Sequence, residues 1–124
     1  MNRLFEVKPI IWVASTKKDI QKLPEDVKDT FGFALHQAQE GNKHVNAKPL
    51  KGFSGAGVLE VVEDLAGNTY RAIYTVRFRE AVYVLHVFQK KSKKGIATPQ
   101  RELDLINQRL RAAEEHYKEW IKAK

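Results

Sequence analysis

Between Val58 and Lys90 the chain runs through β-branched and aromatic residues in three stretches, Val58–Asp64, Thr69–Phe78 and Ala81–Lys90, with side chains suited to a two-residue alternation. The joins between them limit the fold most. Leu65-Ala66-Gly67-Asn68 and Arg79-Glu80 are far shorter than the roughly dozen residues a parallel crossover needs, so successive stretches pair as an antiparallel meander.

Helical periodicity flanks this meander on both sides. A short apolar strand, Pro9 to Ala14, is followed by Ser15 or Thr16 as a cap and a helix through Lys17, Asp19, Ile20 and Leu23. Pro24 opens a second helix whose stripe is Val27, Phe31, Ala34, Leu35 and Ala38, stopped at Gly41-Asn42. The pair is expected to form a helical hairpin. Thr98-Pro99 signals a last helix with Leu103, Ile106, Leu110, Ala113, Tyr117 and Trp120 on one stripe, which needs a partner surface. The fold class is therefore α+β: an N-terminal helical hairpin packed on a mainly antiparallel sheet, with a C-terminal helix.

Register can be read from the joins. A two-residue loop at Arg79-Glu80 pairs Phe78 with Ala81, Arg71 with Phe88 and Ile73 with His86, while the turn after Asp64 pairs Asp64 with Thr69 and Glu60 with Ile73. One face then carries Leu59, Val61, Ala72, Tyr74, Val76, Tyr83, Leu85 and Val87, apolar and suited to receive helices. The other carries Glu60, Arg71, His86 and Lys90 and is expected to face away from them.

Length and composition narrow the function. At 124 residues, 43% of them hydrophobic, the chain reads as a single domain spanning 1–124 with a core of its own. It has no cysteine, which excludes disulfides, thiolate metal sites and thiol nucleophiles. The four histidines, at 36, 44, 86 and 116, lack ligand spacing, and there is no nucleotide-binding glycine motif or nucleophile elbow, so neither a metal nor another cofactor is expected. No signal peptide or membrane span is visible, and a cytoplasmic protein is expected. The net charge of +7 is unevenly placed: residues 1–84 carry 12 basic and 10 acidic side chains, 85–101 carry 5 and none, and 102–124 carry 5 of each. Such a concentrated cationic stretch suits a phosphate polyanion, although a solvated lysine loop has the same composition.

Glu60, Arg71, His86 and Lys90 are also the side-chain types that cleavage of RNA by its own 2′-hydroxyl requires. A base must take the hydroxyl proton, a fixed cation must hold the pentavalent phosphorane, and an acid must protonate the 5′-oxygen. Arg71 is the natural phosphate clamp, being planar, bidentate and permanently charged. The same spacing is equally that of a cross-strand Glu60–Arg71 ion pair beside a half-buried histidine satisfied by a neighbour.

Four segments resemble a known family: Lys48-Pro-Leu-Lys-Gly-Phe53, Gly57-Val-Leu-Glu60, Tyr70-Arg-Ala-Ile-Tyr74, and His86-Val-Phe-Gln-Lys-Lys-Ser-Lys-Lys-Gly95 leading into Thr98-Pro99. Over about residues 10–112 the chain resembles the phage-related branch of the HigB-like toxins in the RelE/ParE superfamily. The resemblance implies the architecture above and a toxin of a type II toxin–antitoxin system. Its implied activity is that of a ribosome-dependent endoribonuclease that cuts mRNA and stops translation. The implied partners are the ribosome with its message and an antitoxin carrying a helix-turn-helix domain. Arg71 looks like the superfamily's active-site arginine, and Lys90 or Lys91 falls where RelE-like toxins place a second cation. RelE would have lysines near positions 60 and 62, where this chain has Glu60 and Val62. His86 or Glu60 would then serve as base, or Lys48 or Lys51 would swing in, and Lys48, Lys51, Lys93 and Lys94 are expected to bind RNA. Two other functions fit the same fold: a ParE-like gyrase inhibitor without catalysis, and a nucleic-acid-binding module.

Overall fold

The computed structural model of the chain describes residues 7–53, 55–90 and 98–124. These residues form β1 (Ile10–Trp12), α1 (Thr16–Gln21), α2 (Glu25–Gln39), β2 (Ala47–Pro49), β3 (Val58–Leu65), β4 (Asn68–Thr75), β5 (Val82–Lys90) and α3 (Gln100–Lys122). The strands make one sheet in the order β1-β5-β4-β3-β2, antiparallel except where β1 lies parallel to β5. The fold is α+β with a mixed sheet and a C-terminal helix. Among the described residues no helix is long and apolar enough to cross a membrane.

The β3–β4 join behaves as its sequence requires. Pairing runs from Val58↔Thr75 to Leu65↔Asn68, leaving Ala66 and Gly67 as the turn, both at positive φ (53° and 84°), the handedness that matches the twist of the flanking strands. The β4–β5 join differs from expectation. Arg71 does pair with Phe88 and Ile73 with His86, but β4 ends at Thr75 and β5 begins at Val82, so the connection spans 76–81 rather than two residues. A bulge absorbs the difference: Tyr74 pairs with Val84, leaving Leu85 as the extra residue before His86. The apolar face is corrected accordingly. Val82 and Val84 join Val61, Ala72, Tyr74 and Val87 against the N-terminal helices, while Tyr83 and Leu85 lie on the opposite side with α3.

Helices cover both faces of the sheet. The α2 stripe predicted from the sequence, Val27, Phe31, Ala34, Leu35 and Ala38, is buried against β3, β4 and β5. Only part of the expected hairpin forms, because α1 is six residues long and packs on β5 instead of running beside α2. On the other face α3 buries Ile106, Leu110 and Ala113 against Val58, Ile73, Tyr83 and Leu85, with Leu103, Tyr117 and Trp120 half-buried along the same stripe. Each fully buried large apolar side chain contributes roughly 1.5–3 kcal/mol, so the α3 stripe is enough to hold that helix on its own sheet.

Candidate active site

Strand register builds the site on the α3 side of the sheet, bordering the apolar cluster at Ile73 and Phe88. Directly paired residues share a face, so one row across the strands reads Lys48, Glu60, Ile73, His86, the next Val62, Arg71, Phe88, and the next Asp64, Thr69, Lys90. Glu60, Arg71, His86 and Lys90 therefore share one face, as the sequence pattern predicts. Lys48 joins them because 47–49 pair as β2, a strand the alternation did not reveal; its side chain is exposed, and so is that of Lys51 in the following turn. Lys91, Lys93 and Lys94 lie outside the described residues.

The face is not open. Exposure is 7% for Glu60, 9% for Arg71, 8% for His86 and 5% for Lys90; Thr98, just ahead of α3, bonds Arg71, and Glu102 and Arg109 of α3 bond His86. Arg71 Nη1 donates to Glu60 Oε2 in a buried ion pair and to Thr98 Oγ1 at 3.2 Å, and the Thr98 hydroxyl in turn donates to Glu60 Oε2 at 3.4 Å. Two buried charges of opposite sign are tolerable only in this mutually bonded form.

His86 is held from both ring nitrogens by α3. Its Nε2 lies 2.7 Å from Glu102 Oε1, and Arg109 Nη1 approaches Nδ1 at 3.3 Å while also donating to the Leu85 carbonyl at 3.0 Å. A guanidinium can only donate, so Nδ1 is the acceptor and the ring proton sits on Nε2, facing the carboxylate. Burial agrees with that neutral tautomer by pushing the imidazole below its ordinary range, against the opposing pull of Glu102. The ring also stacks on Phe88, centroids 4.5 Å apart and planes 18° from parallel.

Lys90 is lowered too, by burial first and by the Arg71 guanidinium second, with Glu60 opposing both. A lysine shifted this way gives up its proton more readily than a surface one, the property an acid at a leaving oxygen needs. Two tyrosines of the sheet lack such readiness: burial pushes Tyr74 and Tyr83 up to about 12, so their phenols stay protonated at neutral pH. Among the described residues no cluster of three or more His, Asp or Glu side chains could hold a metal ion.

The ion-pair reading of the four polar residues is the one the contacts show. Glu60 and Arg71 form the cross-strand ion pair, His86 is satisfied by its neighbours, and all of them meet Lys90 on one face. The sequence reading missed Thr98, Glu102 and Arg109. A signal existed for the last two, since Glu102, Ile106, Arg109 and Ala113 recur at steps of four, three and four, which places two charges on the buried stripe of α3.

A sequence model of a protein family described as phage-derived, Gp49-like (DUF891), matches residues 18–111, from α1 into α3. No curated protein and no solved structure matches the chain.

Proposed function

The chain belongs to the Gp49-like family of phage-derived, toxin-like proteins, and from that premise we propose that it is the toxin of a toxin–antitoxin pair, a HigB/RelE-like endoribonuclease that cuts mRNA on the ribosome. The observation that carries the reading is the meeting of Glu60, Arg71 and Lys90 on one sheet face with exposed Lys48 in the same row as Glu60.

Each group has a part in the chemistry. The incoming phosphate competes with Glu60 for the Arg71 guanidinium, which binds two phosphate oxygens as well as it binds a carboxylate. That exchange leaves the Glu60 carboxylate as acceptor for the ribose 2′-hydroxyl proton. The 2′-oxygen attacks phosphorus, Arg71 holds the charge that develops on the phosphorane, and the bond to the 5′-oxygen breaks as Lys90 delivers a proton to it. The products are a 2′,3′-cyclic phosphate and a free 5′-hydroxyl. His86 has both nitrogens committed to α3 and acts as a positioning residue, fixing the sheet face beside Arg71. The expected partners are the ribosome with its message and an antitoxin, with a helix-turn-helix domain, that keeps this face from RNA.

The test is a reconstituted translation reaction in which new RNA 5′ ends are mapped. The native protein should cut ribosome-bound message at defined positions, Arg71→Ala should not, and Arg71→Lys should retain a small fraction of the rate because a point charge cannot reproduce the bidentate contact. Gyrase-dependent DNA breakage without RNA cleavage, or RNA binding without cleavage, would overturn the reading.

A further inference from the structure

Phe88 sits where the apolar cluster beneath α3 gives way to charge. It packs against that cluster, which contains Ile73, Leu85 and Ile106, yet it stands between His86 and Lys90 on β5 and directly opposite Arg71 on β4. Arg71, His86 and Lys90 are buried, yet the large apolar ring among them keeps partial exposure. Burial alone would favour the reverse arrangement.

Orientation is the second observation. The phenyl ring lies nearly parallel to the His86 imidazole, which cannot turn without breaking its bonds to Glu102 and Arg109. Phe88 is therefore backed by a ring that α3 clamps, and its own plane is set in advance. A ring held this way loses little freedom when a second flat group is laid beside it.

We propose that Phe88 is the stacking platform for a nucleobase flanking the scissile phosphate, so that the site holds its RNA by one base as well as by one phosphate. This rests on the RNA-cleavage reading above. Opposed cross-strand side chains begin about 5 Å apart, so a phosphate on the Arg71 guanidinium places the adjacent nucleotide's base within reach of the Phe88 ring. Every base presents a π-face, and the phenyl carries no hydrogen-bonding group, so the contact grips without reading sequence. Aromatic–base stacks are removed by alanine at a loss of about 5- to 100-fold in binding, so truncation of the ring should be readily measured.

Single-turnover cleavage of ribosome-bound message tests the platform, using messages that carry either a normal or an abasic nucleotide on each side of the mapped cut. On the normal message Phe88→Leu should lower kcat/KM by about tenfold, and Phe88→Trp should stay within about threefold of the native protein. At one of the two flanking positions the abasic message should erase the difference between the native protein and Phe88→Leu, because the ring then has no base to hold. A Phe88→Leu defect of equal size on normal and abasic messages at both positions overturns the platform while leaving the cleavage reading intact. Failure of the native protein to cut any message overturns the cleavage reading and the platform with it. Thermal unfolding of each variant accompanies the assay, and Phe88→Met replaces Phe88→Leu if the latter is unfolded at the assay temperature.

Discussion

At the scale of single residues, the candidate site is made of groups that folding has already paired. Arg71→Ala takes the guanidinium from the buried Glu60 carboxylate and leaves it the Thr98 hydroxyl and the charge of Lys90, so it should destabilise the fold by about 3 kcal/mol, the low end of the cost of breaking a buried ion pair from one side. The sequence alone argues the opposite, since a side chain facing away from the helices would be cheap to remove. The double change Arg71→Met with Glu60→Leu should recover most of that loss, because it removes the charge along with its partner. Urea unfolding of the native protein and the two variants checks both statements, and equal losses in the single and double variants would mean the pair is not coupled. His86 gives a pH signature. Its folded pKa lies below the ordinary imidazole value of about 6.5, so below that value the unfolded chain binds more protons than the native one. Its contribution is fully present above about 6.5 and is lost progressively as pH falls toward the depressed folded value. The acid side of a plot of urea midpoint against pH should accordingly be flatter in His86→Gln than in the native protein, and an unchanged slope would show that another group titrates there.

Whole elements are placed by turns and bulges, and here the sequence was legible only where a residue type carries the signal. Gly67 marks the β3–β4 turn, and its register followed. The bulge at Leu85 carries no mark, because Tyr83, Val84 and Leu85 are all apolar and alternation cannot say which of them faces which side. β2 was missed for a related reason: three residues ending in a proline at the sheet edge are too few to show a period. Gly57 holds the join between β3 and the end of β4, its carbonyl accepting from Val76 N at 3.0 Å and Thr75 Oγ1 at 3.0 Å. Its φ is +66°, and an added Cβ would sit 3.0 Å from Arg77 Cβ and 3.1 Å from Arg77 N. Gly57→Ala should therefore cost about 2 kcal/mol or more. Gly52, at φ +92° with nothing near its missing Cβ, bears the conformational strain alone, so Gly52→Ala should cost less. Thermal midpoints of the two variants compare them directly, and a Gly57→Ala midpoint at or above that of Gly52→Ala would show that the loop gives way at no cost.

For the molecule as a whole, the polar face of the sheet is at once a helix-packing surface and the candidate active site. Sequence periodicity brought the four polar residues onto one face, though it put Tyr83 and Leu85 on the other, and it assigned the polar face to solvent because the charges that α3 contributes to its own buried stripe read as surface residues until their partners on the sheet are in view. The consequence is a division of labour among the cations. Arg71 and Lys90 are enclosed, whereas Lys48 is exposed at the edge of the same face and Lys51 is exposed just beyond it, so under the proposed function these two would meet RNA phosphates before the scissile one. Contacts of that kind position the backbone and release counterions, so they set salt dependence more than rate. Replacing Lys48 and Lys51 together with alanine should weaken ribosome binding and flatten the slope of log affinity against log salt by about 1 to 2. Cleavage measured at saturating ribosome should stay close to the native rate, because neither side chain takes part in the proton transfers assigned to Glu60 and Lys90. Titrations at several salt concentrations, paired with single-turnover rates at saturation, separate the two effects. A double variant that loses rate while keeping its salt slope would move Lys48 from the approach path into the reaction, where its position in the same row as Glu60 would make it the base.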